Sequence, residues 1–162
     1  MQKKITYELR TIGTIEAANG EFAVRVHEDY KEALKEIEGF SHLFLFWWCH
    51  FLDNEEMRKY TVAPKPYKQG PDEIGLFATR SPVRPNPLAV TIVPLIDVAR
   101  DEGLLRVAYV DAENGSPVID IKPYYGIDRV RDITVPSWCA HWPSWYEDAA
   151  IFDWEAEFEN AM

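Results

Sequence analysis

An apolar run, HLFLFWWCHFL from His42 to Leu52, sets the centre of any fold that this chain can adopt. Together with Phe40 the run is apolar on both faces, so as a strand it must be central in a sheet and covered on both sides. It contains two histidines and has about half the length that a membrane-spanning helix needs. We therefore expect a buried element and no association with a membrane.

Strand patterns dominate the chain up to Ile121. The strongest hairpin signal is Asn19-Gly20, which precedes the alternating segment EFAVRV. No regular alternation of strands and helices follows, so the sequence predicts a mostly β fold, a small antiparallel β-barrel with short helices. The predicted strands, besides the central one, are Ile5 to Ile15, Glu21 to Val26, Ile74 to Ala78, Leu88 to Val98, Leu104 to Val110 and Val118 to Ile121.

Two segments have helical patterns. A short helix is predicted from Tyr30 to Ile37, before Gly39. The better helix is C-terminal, from Ser144 to Glu159, where Ser144 and Glu147 fit a capping box and aromatic residues recur at roughly helical spacing. Between the two, residues 54–73 carry three prolines and little periodicity. We expect a long connection there, and long loops in compact domains tend to be functional.

The whole chain is acidic and of the size of one domain. Its 162 residues can bury a core without metals or disulfides, so we expect a single domain spanning residues 1–162. The N-terminus lacks the apolar core of a secretory signal, which predicts a cytoplasmic location and reduced thiols at Cys49 and Cys139. The net charge of −10 gives no general basic footprint for nucleic acid.

The segment GLFATRSPVRPNP, from Gly75 to Pro87, is the strongest candidate for a functional site. Prolines at 82, 85 and 87 fix φ and exclude regular pairing, so the loop must be stiff and extended. Arg80 and Arg84 project planar guanidinium groups that suit bidentate capture of a carboxylate or phosphate. On these grounds alone, a surface turn with solvated arginines is equally consistent with the residues.

Three ordered motifs resemble those of the TsaA-like family. GLFATRSPVRPNP resembles its central motif, GFSHL at 39–43 its entry to a buried strand, and Asp111 with GSPVIDIKPY at 115–124 its D-x-x-D-G-T-P-V-x-D-I-K-P-Y. The match covers residues 5–125 and leaves a tryptophan-rich tail, residues 134–162. Characterised members methylate a threonylcarbamoyladenosine beside the tRNA anticodon, using S-adenosylmethionine. The resemblance thus implies an S-adenosylmethionine-dependent methyltransferase with a small β-barrel that is commonly dimeric.

The resemblance also implies cofactor contacts at particular positions. Arg80 can meet the carboxylate of S-adenosylmethionine, Asp111 can bind an amine or hydroxyl, and Phe51 can pack on the adenine or the sulfonium. No glycine-rich G-x-G-x-x-G loop occurs in the sequence, which agrees with a fold unrelated to the Rossmann type. The full set carried over from the family is His50, Phe51, Arg80, Val90, Ala108, Tyr109, Val110 and Asp111.

Methyl transfer from a sulfonium is an in-line displacement, so the protein mainly holds donor and acceptor close in a site shielded from water. If the reaction uses a base, Asp120 and Tyr124 are the candidates, with Lys122 as a charge contact. Arg84 and Asn86 are the candidate substrate-binding residues. No metal is expected at the site.

Some alternatives stay open at the level of sequence. Members of the tRNA type carry P-R-Q in a long loop between the first two strands, and IEAANGEF at 15–22 has no equivalent. The acceptor is therefore either tRNA or a smaller molecule, and a noncatalytic nucleotide-binding module is the rival class. Cys49, His50, Cys139 and His141 could form a metal site if they converge. Trp138, Trp142 and Trp145 could stack on a ligand, although packing is favoured.

Overall fold

A computed structural model describes residues 5–160 of the chain. These residues form two compact units. The first contains the described residues up to Phe51 together with Leu88–Asp128, and the second contains Leu52–Pro87 together with the residues from Arg129 onward. The expected single domain stays a prediction.

Eight strands and one α-helix make up the regular structure of the described residues, together with short 3-10 turns. The strands are β1 Gly13–Ala18, β2 Glu21–Val26, β3 His42–Trp48, β4 Val62–Pro64, β5 Glu73–Gly75, β6 Leu88–Ala99, β7 Leu104–Val107 and β8 Pro117–Pro123. The α-helix is α1, Trp154–Glu157. The 3-10 turns are Glu28–Leu34, Ile37–Gly39, His50–Leu52, Met57–Lys59, Leu76–Ala78, Arg100–Glu102, Gly126–Asp128, Ser137–Cys139 and Glu147–Ala150.

The first unit is a closed antiparallel barrel with the strand order β1-β2-β7-β6-β3-β8. The predicted fold class is therefore confirmed. β3 lies between β6 and β8, as its apolar sequence requires. Its side chains alternate, with Leu43 and Leu45 buried at 1% exposure while Phe44 and Phe46 are partly exposed. The run is thus central, with one face in the barrel interior and the other partly exposed.

The barrel core is filled by aliphatic side chains from every strand. Ile15, Val24, Leu43, Leu105 and Val118 are each at most 1% exposed, and they belong to one continuous cluster. Burial of aliphatic side chains stabilises a fold by roughly 1.5–3 kcal/mol each. The barrel is therefore held by its packed interior.

Local turn chemistry places the hairpins where the sequence predicts them. Asn19 and Gly20 both have positive φ, 55° and 79°, and they connect Ala18 directly to its partner Glu21. Gly103, with φ of 67°, follows the 3-10 turn between β6 and β7. β2 has the predicted bounds, β6 ends one residue later than predicted, and β7 ends earlier, at Val107. β8 begins one residue earlier and ends two residues later than predicted, from Pro117 to Pro123.

Other boundaries differ from the predictions. Residues 5–12 are not a strand, and Ile5, Tyr7 and Leu9 are more than half exposed. Only the end of the predicted first strand forms β1, because its backbone is paired from Ile12 onward. The predicted helix at 30–37 is instead the 3-10 turn Glu28–Leu34, whose Leu34 is buried in the core.

The second unit contains a small sheet that the sequence did not reveal. β4 pairs antiparallel with β5, from Val62 opposite Gly75 to Pro64 opposite Glu73. Two strands of three residues each are too short to produce a periodic pattern. The connection expected at 54–73 therefore contains a strand, and the strand predicted from Ile74 to Ala78 ends at Gly75 before the 3-10 turn Leu76–Ala78.

The C-terminal helix forms over much less of the chain than predicted. α1 is four residues long, and its cap is Asp153, whose side chain accepts a hydrogen bond from the amide of Ala156. Backbone bonds instead connect 157–160 to 65–68, where Lys68 N donates to the Glu157 carbonyl and Glu159 N to the Pro66 carbonyl. No helix in the described residues is long and apolar enough to cross a membrane.

Candidate functional site

The motif at 75–87 begins with a turn in which several hydrogen bonds converge on one carbonyl group. Leu76, 1% exposed, anchors the turn in the second unit. Its carbonyl accepts hydrogen bonds from the Thr79 amide at 3.0 Å, the Thr79 Oγ1 at 2.9 Å and Arg84 Nη2 at 3.1 Å. Converging donors fix the backbone on both sides of this carbonyl, so the turn is locally rigid.

The loop after this turn is stiffened by hydroxyl groups as well as by prolines. Thr79 Oγ1 accepts a hydrogen bond from the Ser81 amide at 3.2 Å, and Ser81 Oγ accepts one from the Val83 amide at 3.1 Å. Such side-chain turns replace the backbone pairs that prolines exclude. Val83 is buried and residues 79–87 have no helix or strand, so the predicted stiff loop is present.

The two arginines of the motif have different surroundings. Arg84 is half-buried and donates from Nη2 to the carbonyls of Leu76 and Thr79, at 3.1 and 3.2 Å. Arg80 is exposed, as is Asn86. Burial raises the pKa of Tyr67, and the charge of Arg80 partly opposes that rise. Arg80 is thus available to an anion, whereas Arg84 braces the loop through the hydrogen bonds of its guanidinium.

Arg58 is a second brace that the sequence analysis did not assign. Its Nε pairs with Asp53 Oδ1 at 2.5 Å, and its Nη1 donates to the Pro85 carbonyl at 3.1 Å. The hydrogen bond with Asp53 raises the pKa of Arg58. No pattern in the sequence connects Arg58 to Pro85, so this contact depends on the fold.

In the first unit, His50 and Phe51 lie directly after β3, in the turn His50–Leu52. Their rings are in contact, with centroids 4.0 Å apart, and Phe51 is 68% exposed. His50 Nδ1 lies 3.4 Å from the hydroxyl of Ser116, which is 1% exposed. The fold thus brings the end of β3 beside the third motif, and Ser116 is a residue that we did not assign to the site.

The predicted catalytic residues share the outer face of the barrel with Val90. Phe46 lies between Val90 on β6 and Asp120 on β8. Asp120 Oδ2 pairs with Lys122 Nζ at 2.5 Å, and this ammonium lies 5.9 Å from the ring centroid of Phe46. The ring of Tyr124 packs edge to face on Phe44 at 5.3 Å. Because successive side chains of a strand alternate, this face is opposite Leu43 and Leu45.

The predicted contacts at 108–111 follow β7. The Ala108 amide donates to the Pro94 carbonyl at 3.0 Å, which keeps the segment beside β6. Tyr109 is 53% exposed and packs edge to face on Phe22 at 5.2 Å. Asp111 is exposed, but Val110 is 1% exposed and belongs to the core. Its side chain therefore packs inward, and only its backbone can meet a ligand.

Metal-ligating side chains do not cluster in residues 5–160, where no three His, Cys, Asp or Glu residues are placed to hold an ion. In the second unit, Cys139 Sγ lies 3.3 Å from the Pro136 carbonyl, and His141 Nε2 lies 2.8 Å from Glu157 Oε2. These two predicted ligands therefore contact protein groups.

The tryptophans of the tail mostly pack on one another within the second unit. Trp138 stacks on Tyr67 with centroids 5.1 Å apart, and Trp142 meets the same ring edge to face at 5.0 Å. Trp142 also contacts Trp154 at 5.4 Å. The preference for packing is confirmed for Trp138 and Trp142, while Trp145 is 71% exposed.

Comparison with known proteins identifies relatives of this arrangement. The model of the family described as the tRNA-methyltransferase O N-terminal domain matches residues 12–128. A probable S-adenosyl-L-methionine-binding protein of Methanothermobacter thermautotrophicus is 38% identical over 105 residues, which are 65% of this chain and 70% of that protein. The tRNA (adenine(37)-N6)-methyltransferase of Escherichia coli K12 is 37% identical over 120 residues, 71% of this chain and 49% of the enzyme.

A solved structure has the same fold. The crystal structure of TrmO from Pseudomonas aeruginosa matches with a TM-score of 0.60 at 25% identity, covering 80% of this chain and 62% of that one. The chain thus spans 49% of the E. coli relative and 62% of the crystallised protein. The matched family range, 12–128, contains all three motifs and every residue predicted for the site.

Proposed function

Because this chain belongs to the family of the tRNA-methyltransferase O N-terminal domain, we propose that it is an S-adenosylmethionine-dependent methyltransferase whose acceptor is the N6-threonylcarbamoyladenosine beside the tRNA anticodon. The family resemblance of the three motifs is thereby confirmed. The observation that carries the proposal is that the family range contains GFSHL, GLFATRSPVRPNP and GSPVIDIKPY in order. Relatives over this range are named for S-adenosylmethionine binding and for methylation of tRNA adenine 37.

The residues of the first unit that we propose for the cofactor have suitable chemistry. Phe51, Tyr109 and Val90 expose apolar surface, which suits an adenine ring and a cationic sulfonium. The exposed carboxylate of Asp111 can accept hydrogen bonds from hydroxyl or amino groups. His50 is oriented by Ser116, while Ala108 and Val110 contribute backbone groups. Arg80 of the second unit is proposed to meet a carboxylate.

Calorimetric titration with S-adenosylmethionine tests cofactor binding. We expect a saturable signal that Arg80→Ala weakens, since a bidentate charged contact is lost. Arg129→Ala, which removes another exposed arginine of the second unit, is the matched control and should bind normally. Absence of binding by the native chain at millimolar cofactor would refute the proposal.

S-adenosylmethionine, when bound, supplies an electrophilic methyl group. The acceptor nitrogen loses a proton as it becomes methylated, and we propose that the carboxylate of Asp120 receives it, with Lys122 holding that carboxylate. Tyr124, which packs on Phe44 two residues beyond Lys122, is the alternative base. Loss of a general base costs about 10²- to 10⁴-fold in rate. Asp120→Asn should therefore lower kcat by at least about 100-fold with unchanged cofactor affinity. If Asp120→Asn and Lys122→Gln instead lowered kcat equally and by less than tenfold, Asp120 would not act as a base, and the two residues would form only a structural ion pair.

A smaller acceptor is the second candidate, and one observation favours it. β1 and β2 are joined by the two-residue turn Asn19-Gly20, so the long P-R-Q loop of tRNA-type members has no place in this hairpin. Transfer of labelled methyl to unfractionated tRNA separates the candidates. Labelled tRNA would support tRNA as the acceptor. Cofactor binding together with a labelled metabolite would support a smaller acceptor, and cofactor binding without any methyl transfer would indicate a noncatalytic module.

We also propose that the protein is a homodimer that acts in the cytoplasm. The half-buried ring of Phe44 lies on the outer face of β3, and contact with a second copy beside the proposed base would shield it from water. Light scattering of the native chain should give twice the monomer mass, and Phe44→Glu should give monomers with an intact barrel. A monomeric native chain at tens of micromolar would contradict the dimer.

A further inference from the structure

Two exposed aromatic residues, Tyr60 and Phe77, flank the end of the small sheet in the second unit. Val62 pairs with Gly75, and the Leu76 amide continues this register by donating to the Thr61 carbonyl at 2.9 Å. Tyr60 precedes β4 by two residues, and Phe77 follows β5 by two residues. Tyr60 is 40% exposed and Phe77 86% exposed, although Phe77 lies inside the motif of the proposed active site. Large exposed aromatic rings within a functional motif are typical of a surface that binds a partner.

Both aromatic residues are attached to fixed backbone. Phe77 follows Leu76, whose buried side chain and triply bonded carbonyl hold the turn in place. Tyr60 closes the turn Met57–Lys59 through its amide, which donates to the Met57 carbonyl at 3.3 Å. Rings on rigid supports lose little conformational entropy when a ligand binds, which favours them as contact surfaces.

The two short segments that carry the rings contain only basic charges, in a chain whose net charge is −10. Segments 57–62 and 75–87 contain basic residues and no acidic residue. Two of the basic side chains are used inside the unit as braces, whereas the other two are exposed. The braces are Arg58 and Arg84, and the exposed side chains are Lys59 and Arg80.

We propose that Lys59, Tyr60 and Phe77, the aromatic surface, hold unpaired bases of the anticodon loop of the RNA substrate. The inference rests on the proposed function and specifies its acceptor side. Aromatic rings accept any base by stacking, while flanking cations meet the phosphates, and these are the requirements for single-stranded RNA. Arg80 follows Phe77 by three residues, so the aromatic surface adjoins a residue proposed for the cofactor.

Fluorescence anisotropy with a labelled anticodon stem-loop tests this surface on the full chain. Phe77→Ala should weaken RNA binding about 5- to 100-fold, the range found when one stacking ring is removed. Phe77→Trp should retain it, and Lys59→Gln should lower the slope of log affinity against log salt by about 0.7. Trp145→Ala, which removes an exposed ring elsewhere in the unit, is the matched control and should bind like the native chain.

Cofactor titration of the same variants separates this inference from the proposed function. Phe77→Ala should bind S-adenosylmethionine normally and melt at the native temperature, because the ring is exposed. The aromatic surface is overturned if the native chain methylates tRNA and Phe77→Ala has the same KM for tRNA, or if the native chain binds no stem-loop. It is equally overturned if Phe77→Ala only dissociates a dimer. If the native chain did not bind S-adenosylmethionine at all, the proposed function would instead be refuted.

Discussion

At the scale of the residue, two arginines four positions apart illustrate how the same chemical group serves stability or binding. Arg84 donates from Nη2 to two carbonyls of its own loop, whereas Arg80 is exposed. The sequence predicted both as anion-binding groups, because nothing in the spacing of RSPVRPNP distinguishes them. The difference arises only when the turn at Leu76 presents its carbonyl to one of the two side chains.

Replacement of each arginine should separate these roles. Arg84→Ala is expected to lower the free energy of unfolding by about 1–2 kcal/mol, since hydrogen bonds from a charged group are lost at a partly exposed site. Arg80→Ala should change it by less than about 0.5 kcal/mol, as exposed substitutions usually do. Urea unfolding of both variants measures the difference. Equal stabilities would mean that Arg84 does not brace the loop.

At the scale of the element, the sequence predicted what depends on local chemistry. β2 and the Asn19-Gly20 turn were correct because positive φ at both turn residues is a local requirement. The C-terminal helix was largely wrong, since residues 157–160 bond to the backbone at 65–68 and Phe158 pairs with Tyr67. Pairs so distant in the chain override helical spacing, and no periodic pattern reveals them.

Two glycines at hairpin turns provide a test of backbone strain against steric conflict. Gly20 and Gly103 both have positive φ, yet a Cβ at Gly20 would meet nothing within 4 Å, while one at Gly103 would lie 2.7 Å from the Val26 carbonyl oxygen. Gly20→Ala should therefore cost about 1 kcal/mol of stability from backbone strain alone. Gly103→Ala should cost more than about 2 kcal/mol, because the neighbouring strand must also move. Thermal unfolding ranks the two variants, and a smaller loss at Gly103 would contradict the register of β2 with this turn.

At the scale of the whole molecule, the sequence predicted the motifs of the candidate site but not the contacts between them. Arg80 and Asp111 are recognised from the motifs and His50 from the family resemblance, but the contact of His50 with Ser116 arises only because the barrel places β8 beside the end of β3. Similarly, the segments that carry Tyr60 and Phe77 are brought to the same end of a sheet only by the pairing of β4 with β5. Sequence motifs therefore name residues that carry chemistry, while the neighbours that orient them depend on topology.

The tail contains a carboxylate, that of Glu157, whose pKa depends on the folded structure. Glu157 Oε2 accepts a hydrogen bond from Trp142 Nε1 at 3.1 Å and lies 2.8 Å from His141 Nε2. The bond from Trp142, assisted by His141, holds the pKa of Glu157 below its ordinary value against the opposing effect of burial. The unfolded chain therefore binds a proton at this carboxylate more readily than the folded chain does, and stability rises with pH in that window.

The contribution of Glu157 should be complete above the pKa of an unfolded glutamate, about 4.3, and should be lost as the pH falls through the lower folded value. Denaturant midpoints followed by tryptophan fluorescence between pH 7 and pH 3 should thus decrease in the native chain. Glu157→Gln should lower the midpoint at pH 7 and flatten this decrease, because the amide cannot ionise. Glu155→Gln, an exposed neighbour on α1, is the control and should keep the native profile. An unchanged profile in Glu157→Gln would mean that the tail is held in acid by its ring contacts alone, since those contacts are independent of ionisation.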